Sequence, residues 1–356
     1  MGRRAFDLNW LILICVIILT TLGLTTILSI DTDYFYQQVV FALVGAVFAY
    51  ILSRIQFSIF QYFDRLLIIF CVIFLLLSYL GPSVRGATRW IMVGSINIQP
   101  SEFVKPLYLL ALSSLLVRFP PVKLKPILAH TGLFLLIFFI VLKQPDLGSA
   151  IVYATMWVSM MILAGIPVRY IIAAFFLGLV ILPAGYESLA QYQRLRILNF
   201  FDPMHDPQGT GYNAIQSMIS VGSGKLFGRG FGRGTQSLLR FLPERHTDFI
   251  FASYTEEFGF VGALALLVVF FVLLWQLLRE AGKKILGSSA YLYICGFVVM
   301  ILTHIIINIG MNMGIVPITG ITLPFVSYGG SSLLATFVGL GIAISAMQRG
   351  NEELEG

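Results

Sequence analysis

Apolar runs alternate with short polar connections along nearly the whole chain, and ten runs are long enough to cross about 30 Å of hydrocarbon. The pattern predicts spans over 8–30, 35–53, 66–80, 103–117, 128–142, 148–164, 170–185, 249–278, 286–310 and 328–347. The expected fold class is an all-α polytopic membrane protein with about ten transmembrane helices in one domain, 1–356. A large structured extracytoplasmic loop, 186–248, is expected between the seventh and eighth helices. No small-residue cleavage signature follows the first run, so it reads as a retained helix rather than a signal peptide.

Composition removes the soluble alternative: 58% of residues are hydrophobic and 11% charged, with a mean hydropathy of +0.89. Cys15, Cys71 and Cys295 all fall inside apolar runs and imply neither disulfides nor a metal site. Basic residues set the orientation. Arg54 and Arg65, Lys123 and Lys125, and Arg279, Lys283 and Lys284 fall in alternate short connections, whereas 31–34 and 311–327 hold no Lys or Arg. Both termini are then cytoplasmic and loop 186–248 lies outside. That loop carries Arg194, Arg196, Lys225, Arg229, Arg233, Arg240 and Arg245. Loops of about 60 residues are exempt from the charge rule, but an excess of outer cations calls for an anionic ligand.

The densest polar cluster meets hydrocarbon at Phe241-Leu-Pro-Glu-Arg-His-Thr-Asp-Phe-Ile-Phe251, followed by an apolar run interrupted by Glu256-Glu257. A carboxylate at the lip of a bilayer is costly to desolvate, which marks Asp248 as a working residue. The bland alternative is helix capping by Thr247 or Asp248. In Gln99-Pro-Ser-Glu-Phe-Val-Lys105, Ser101 is the expected N-cap, and Glu102 and Lys105 stand three apart, where they can pair on one face; Lys105 could instead snorkel. Gln144-Pro-Asp-Leu-Gly148 is turn chemistry that also brings Asp146 to the outer face. Gly310 to Ser332, with its prolines, glycines and hydroxyls at membrane depth, predicts broken backbone lining a cavity. Gly222 to Gly234 interleaves glycine with Lys225, Arg229 and Arg233, a composition suited to phosphate. It fits neither a Walker A loop nor G-x-G-x-x-G, so no nucleotide is expected. The four histidines form no H-x-x-x-H pair, and His205 beside Asp202 and Asp206 reads as turn chemistry. No haem or nucleic-acid partner is indicated.

These features suit a lipid-linked anionic substrate such as a polyprenyl-pyrophosphate sugar. Inverting glycosyl transfer needs one base for the acceptor hydroxyl, which Asp248 can be. The leaving pyrophosphate needs cations, either side chains or a divalent metal such as Mg or Mn.

Gln99-Pro-Ser-Glu-Phe-Val-Lys105, Gln144-Pro-Asp-Leu-Gly148, Gly211-Tyr-Asn-Ala-Ile-Gln-Ser217, His246-Thr-Asp-Phe-Ile-Phe-Ala252 and Leu323-Pro-Phe-Val-Ser-Tyr-Gly-Gly-Ser-Ser332 together resemble the SEDS family of shape, elongation, division and sporulation proteins. Gly234-Thr-Gln-Ser237 and Phe241 to His246 resemble its RodA branch. The resemblance implies a ten-helix peptidoglycan glycosyltransferase of the bacterial inner membrane. Such a protein polymerises lipid II outside the membrane, beside a class B penicillin-binding protein and other elongation-machinery membrane proteins. It places the family's essential aspartate on Asp248 and further functional positions on Glu102, Lys105 and Asp146. The candidate substrate-binding set adds Arg85, Arg89, Gln144, Gln216, Lys225, Arg245, Ser327 and Ser331; no metal ligand can be named. A lipid II flippase and a non-catalytic scaffold for the penicillin-binding protein are the competing readings.

Overall fold

A computed structural model describes residues 9–81, 88–94, 96–188, 194, 198, 200–202, 211–238 and 241–348. Each predicted span falls on a helix. The first two are α1, Trp10–Ile30, and α2, Thr32–Arg54, hinged at Asp31, whose carboxylate caps α2 by accepting from Asp33 N at 2.8 Å. Then come the short α3, Phe57–Tyr62, and α4, Asp64–Leu77, followed by α5, Pro100–Arg118, α6, Leu124–Lys143, α7, Leu147–Leu163, and α8, Val168–Ser188. Two shorter helices follow, α9, Tyr212–Ser223, and α10, Thr235–Leu238. Three long helices close the chain: α11, Ile250–Ala281, α12, Ser289–Asn312, and α13, Gly330–Met347.

Six of these, α1, α2, α6, α11, α12 and α13, are long and apolar enough to cross a membrane. Helices α5 and α12 form the interior. Almost every α5 side chain from Pro100 to Leu116 is buried, and α5 packs against α4, α7, α12 and α13. Small residues allow close approach where helices touch. Gly45 of α2 faces the Phe337 ring of α13, and Gly341 of α13 lies against the α2 backbone at Ala49.

Two expectations need correction. The chain is not wholly helical, because Ile91–Val93 and Ile96–Ile98 pair as an antiparallel hairpin with Ile91 opposite Ile98. The turn uses Gly94 at φ 63°, a conformation that suits glycine. Nor is α11 one continuous span: Gly259 adopts φ 68°, ψ −166°, a region open essentially to glycine alone, and the axis bends there.

The glycine-rich stretch explains that bend. Phe260 N donates to Lys225 O at 2.8 Å and Val261 N to Leu226 O at 3.0 Å, while Arg229 N and Gly230 N donate to the Glu256 and Glu257 carbonyls. The loop replaces the helical bonds that Gly259 interrupts. Gly232 N reaches the Glu257 carboxylate at 3.3 Å, and Glu256 accepts from Gln236 N at 2.9 Å. Three amides of the stretch, those of Arg229, Gly230 and Gly232, are therefore committed to α11.

Candidate active site

Asp248 lies in the turn before α11. The N-cap position of that helix falls on Phe249, whose side chain makes no cap bond. The backbone carbonyl of Asp248 is gripped from α12, where Asn308 and Asn312 each donate to it through Nδ2 at 3.0 Å. Asn308 also donates to Ile321 O at 2.7 Å, and Asn312 accepts from Ala252 N at 3.1 Å. Turn, helix start and broken segment are thereby held as one unit. The half-buried Asp248 carboxylate faces Gly320, where a Cβ would come within 3.4 Å of Oδ2.

The broken segment runs from Met313 to Gly329 without helix, as expected, and passes through positive φ at Gly314, Gly320 and Phe325. Buried protein partners satisfy several of its polar groups. His304 Nδ1 donates to Thr322 O at 3.1 Å, and Ser327 accepts from Leu323 N while donating to Thr247 O, both at 2.8 Å. Gln38 of α2 donates to Ser327 O at 2.9 Å. Ser327 is thus a brace between the segment and the Asp248 turn. Ser331 is another, accepting from Gln99 N at 2.9 Å and donating to Asn97 O at 3.2 Å.

Glu102 and Lys105 pair as their spacing predicts, with Nζ 2.6 Å from Oε1. Lys105 is 1% exposed, which removes the snorkelling alternative. Its Nζ also lies 3.3 Å from His304 Nε2. Ser101 is not the N-cap of α5. Pro100 begins the helix, Gln99 holds the cap position, and the Ser101 hydroxyl donates to Asp146 Oδ2 at 3.0 Å. Asp146 caps α7 by accepting from Ser149 N and also accepts from Gln99 Nε2 at 2.9 Å. Its burial raises the carboxyl pKa, but Arg89, Lys105 and the Ser149 bonds outweigh this and hold it below the ordinary carboxylate value.

Other candidates divide. Arg89 is half-buried beside Trp90, with its charge bearing on Asp146. Gln144 is fully buried and donates to Leu75 O at 2.9 Å, a structural tie. Gln216 is half-buried on α9, and Arg245 is half-buried, its carbonyl accepting from Ser253 Oγ at 3.2 Å. Lys225 is exposed at the bend of α11, and Arg85 lies outside the described residues. Beside Asp248, His246 stacks on Tyr34 with ring centroids 4.3 Å apart. Burial, helped by Arg245 and opposed by Glu244 and Asp31, lowers the His246 pKa.

Sequence reasoning missed His304, Asn308 and Asn312. They stand four residues apart along α12 and so line one face. That face touches Lys105 at one level and Asp248 about 6 Å further along the axis, at 1.5 Å per residue. The broken segment lines a narrow crevice with Glu102, Lys105, His304, Pro324 and Thr336, whose volume is ≈ 10 Å³. That is about the room a single water needs. Among the described residues, no three His, Cys, Asp or Glu side chains converge to hold a metal ion.

The family model described as "Cell cycle protein", FtsW, RodA and SpoVE, matches residues 5–352. The chain is 36% identical to stage V sporulation protein E of Bacillus subtilis, covering 94% of this chain and 95% of that one. It is 35% identical to peptidoglycan glycosyltransferase MrdB of Escherichia coli, covering 94% and 91%. A solved chain from "Structural coordination of polymerization and crosslinking by a peptidoglycan synthase complex" superimposes with a TM-score of 0.84 at 30% identity, covering 95% of this chain and 97% of that one. With its motifs meeting around one helix face and its relatives matched nearly end to end, the chain belongs to the FtsW, RodA and SpoVE family.

Proposed function

We propose that this chain is a peptidoglycan glycosyltransferase that polymerises lipid II into glycan strands on the outer face of the bacterial inner membrane during cell elongation. The observation that carries the reading is the grip on Asp248: two buried asparagine amides fix its backbone, and its half-buried carboxylate faces Gly320 of the broken segment. A carboxylate carried on a held backbone can accept the proton of an acceptor sugar hydroxyl as the glycosidic bond forms. Pyrophosphate leaves from the donor carbon with inversion. Two relatives support the substrate class, since one is named a peptidoglycan glycosyltransferase and another belongs to a peptidoglycan synthase complex.

Lys105, Arg89 and Arg245 are the cations assigned to the leaving pyrophosphate. Among the described residues no protein cage for Mg or Mn is built. All ten predicted spans cross the membrane in this reading, with both termini cytoplasmic and the Asp248 face outside. A class B penicillin-binding protein and other elongation-machinery proteins are its partners. The decisive experiment incubates purified protein with lipid II, with and without the penicillin-binding partner, and resolves the products by chain length. Glycan strands are expected. Lipid II that merely crosses a vesicle membrane, unpolymerised, would make the chain a flippase, and neither outcome would leave a scaffold.

A further inference from the structure

His304 is 4% exposed, on the face of α12 that meets α5. Its two ring nitrogens have partners of opposite kind. A carbonyl oxygen can only accept, so the 3.1 Å contact with Thr322 O assigns the proton to Nδ1. An ammonium can only donate, so the 3.3 Å contact with Lys105 Nζ needs a lone pair on Nε2. Both contacts are met by one neutral tautomer.

Lysine is a point charge on a flexible stem. With Glu102 Oε1 at 2.6 Å on one side and His304 Nε2 on the other, two of its three donors are directed. We infer that His304 is a positioning residue for Lys105, holding its ammonium between Glu102 and the broken segment, on the wall of the narrow crevice shared with Pro324 and Thr336. The crevice and both contacts occur at one place, between the buried pair and the broken segment. The inference rests on the proposed glycosyl transfer and extends it, because no step of that reading uses His304.

Two substitutions separate positioning from simple packing. Glutamine can put an amide oxygen where Nε2 stands, keeping an acceptor for Lys105. Asparagine can put an amide N–H where Nδ1 stands, keeping the tie to Thr322. Purified protein with its penicillin-binding partner would be assayed on lipid II for kcat and KM. His304→Gln is expected to keep roughly a third of kcat or more, while His304→Asn and His304→Leu lose about tenfold or more. Asparagine matching or exceeding glutamine would overturn the inference, as would wild-type rates in all three. A second measurement needs no turnover: thermal stability of Lys105→Met, His304→Leu and the double variant. Coupled effects sustain the contact and additive ones sink it. A wild-type protein that makes no strands would instead sink the transferase reading, leaving the coupling result to judge His304.

Discussion

Asn312 donates to the backbone carbonyl of Asp248 across 3.0 Å, from the last residue of α12 to the turn that precedes α11. The same side chain accepts from Ala252 N, and the Asn312 carbonyl accepts from Ser217 of α9 at 3.0 Å. Asn312→Leu should therefore orphan the buried Ala252 N and remove one of the two donors to Asp248 O, costing about 1–3 kcal/mol for the unpaired group. Thermal unfolding in detergent should show a clear drop, with strand synthesis falling further than stability does. An unchanged melting temperature would mean that the Asp248 turn is held by something else.

Asp248→Asn keeps the shape and the backbone grip but removes the carboxylate proposed as the base. Loss of a positioned base typically costs 10²–10⁴-fold, so strand synthesis should fall by about that factor while the melting temperature stays near wild type. Activity above about a tenth of wild type would take the proton-accepting role away from Asp248.

Glu102 and Lys105 are both buried, so removing either leaves a charge without its partner and should cost about 3–5 kcal/mol. Exchanging the two residues should restore part of that loss in a double-mutant cycle on stability. Because His304 faces Nζ, restoration will be incomplete: a carboxylate at 105 would meet the histidine lone pair.

Asp146 ties stability to acid. Its folded pKa lies below the ordinary 3.8, so its contribution is fully present above that value and is lost as pH falls through the lowered one. Melting temperatures measured downward from pH 5 should fall more steeply for wild type than for Asp146→Asn in the window below pH about 4. Parallel curves would show that Arg89 and Lys105 do not hold the carboxylate.

Gly259→Ala should be among the most damaging single changes. A Cβ there would collide with Gly228 N and with Leu226 O, on a backbone at φ 68°. Arg229→Gln should also destabilise, since Arg229 Nε stands 4.0 Å from the buried Glu256 and its Nη1 donates to Thr235 at 2.9 Å. The exposed Lys225 offers a contrast, and Lys225→Gln should leave the melting temperature nearly unchanged. Equal losses for the two variants would contradict the division.

What could be read in advance followed the range of each interaction. The Glu102–Lys105 pair is a local spacing on one helix, and the Asp248 cluster is an anomaly of charge against hydrocarbon; both survive without knowledge of the fold. The Asp146 network could not be reached this way, because Gln99 and Ser101 meet it from another helix. His304, Asn308 and Asn312 were hidden for a different reason. Scanning for apolar runs averages three polar residues away inside a span, although their four-residue spacing already placed them on one face. The glycine-rich stretch is ambiguous in composition, since glycine beside cations suits a phosphate cradle and a backbone splice equally well. Only the partner, the carbonyls of Glu256 and Glu257, separates those uses.

The break at Gly259 leaves residues 260–281 behind it. At 1.5 Å per residue these rise about 33 Å, enough to cross hydrocarbon without help from the turns before the break. The segment from Ile250 to Phe258 is thus surplus to anchoring. Its angle and depth are free to follow the needs of the neighbouring carboxylate rather than the thickness of the lipid. A bilayer that thins or thickens would be accommodated by residues 260–281 of α11, while the part before the break, spliced to the loop and bound to Asn312, keeps its place beside Asp248.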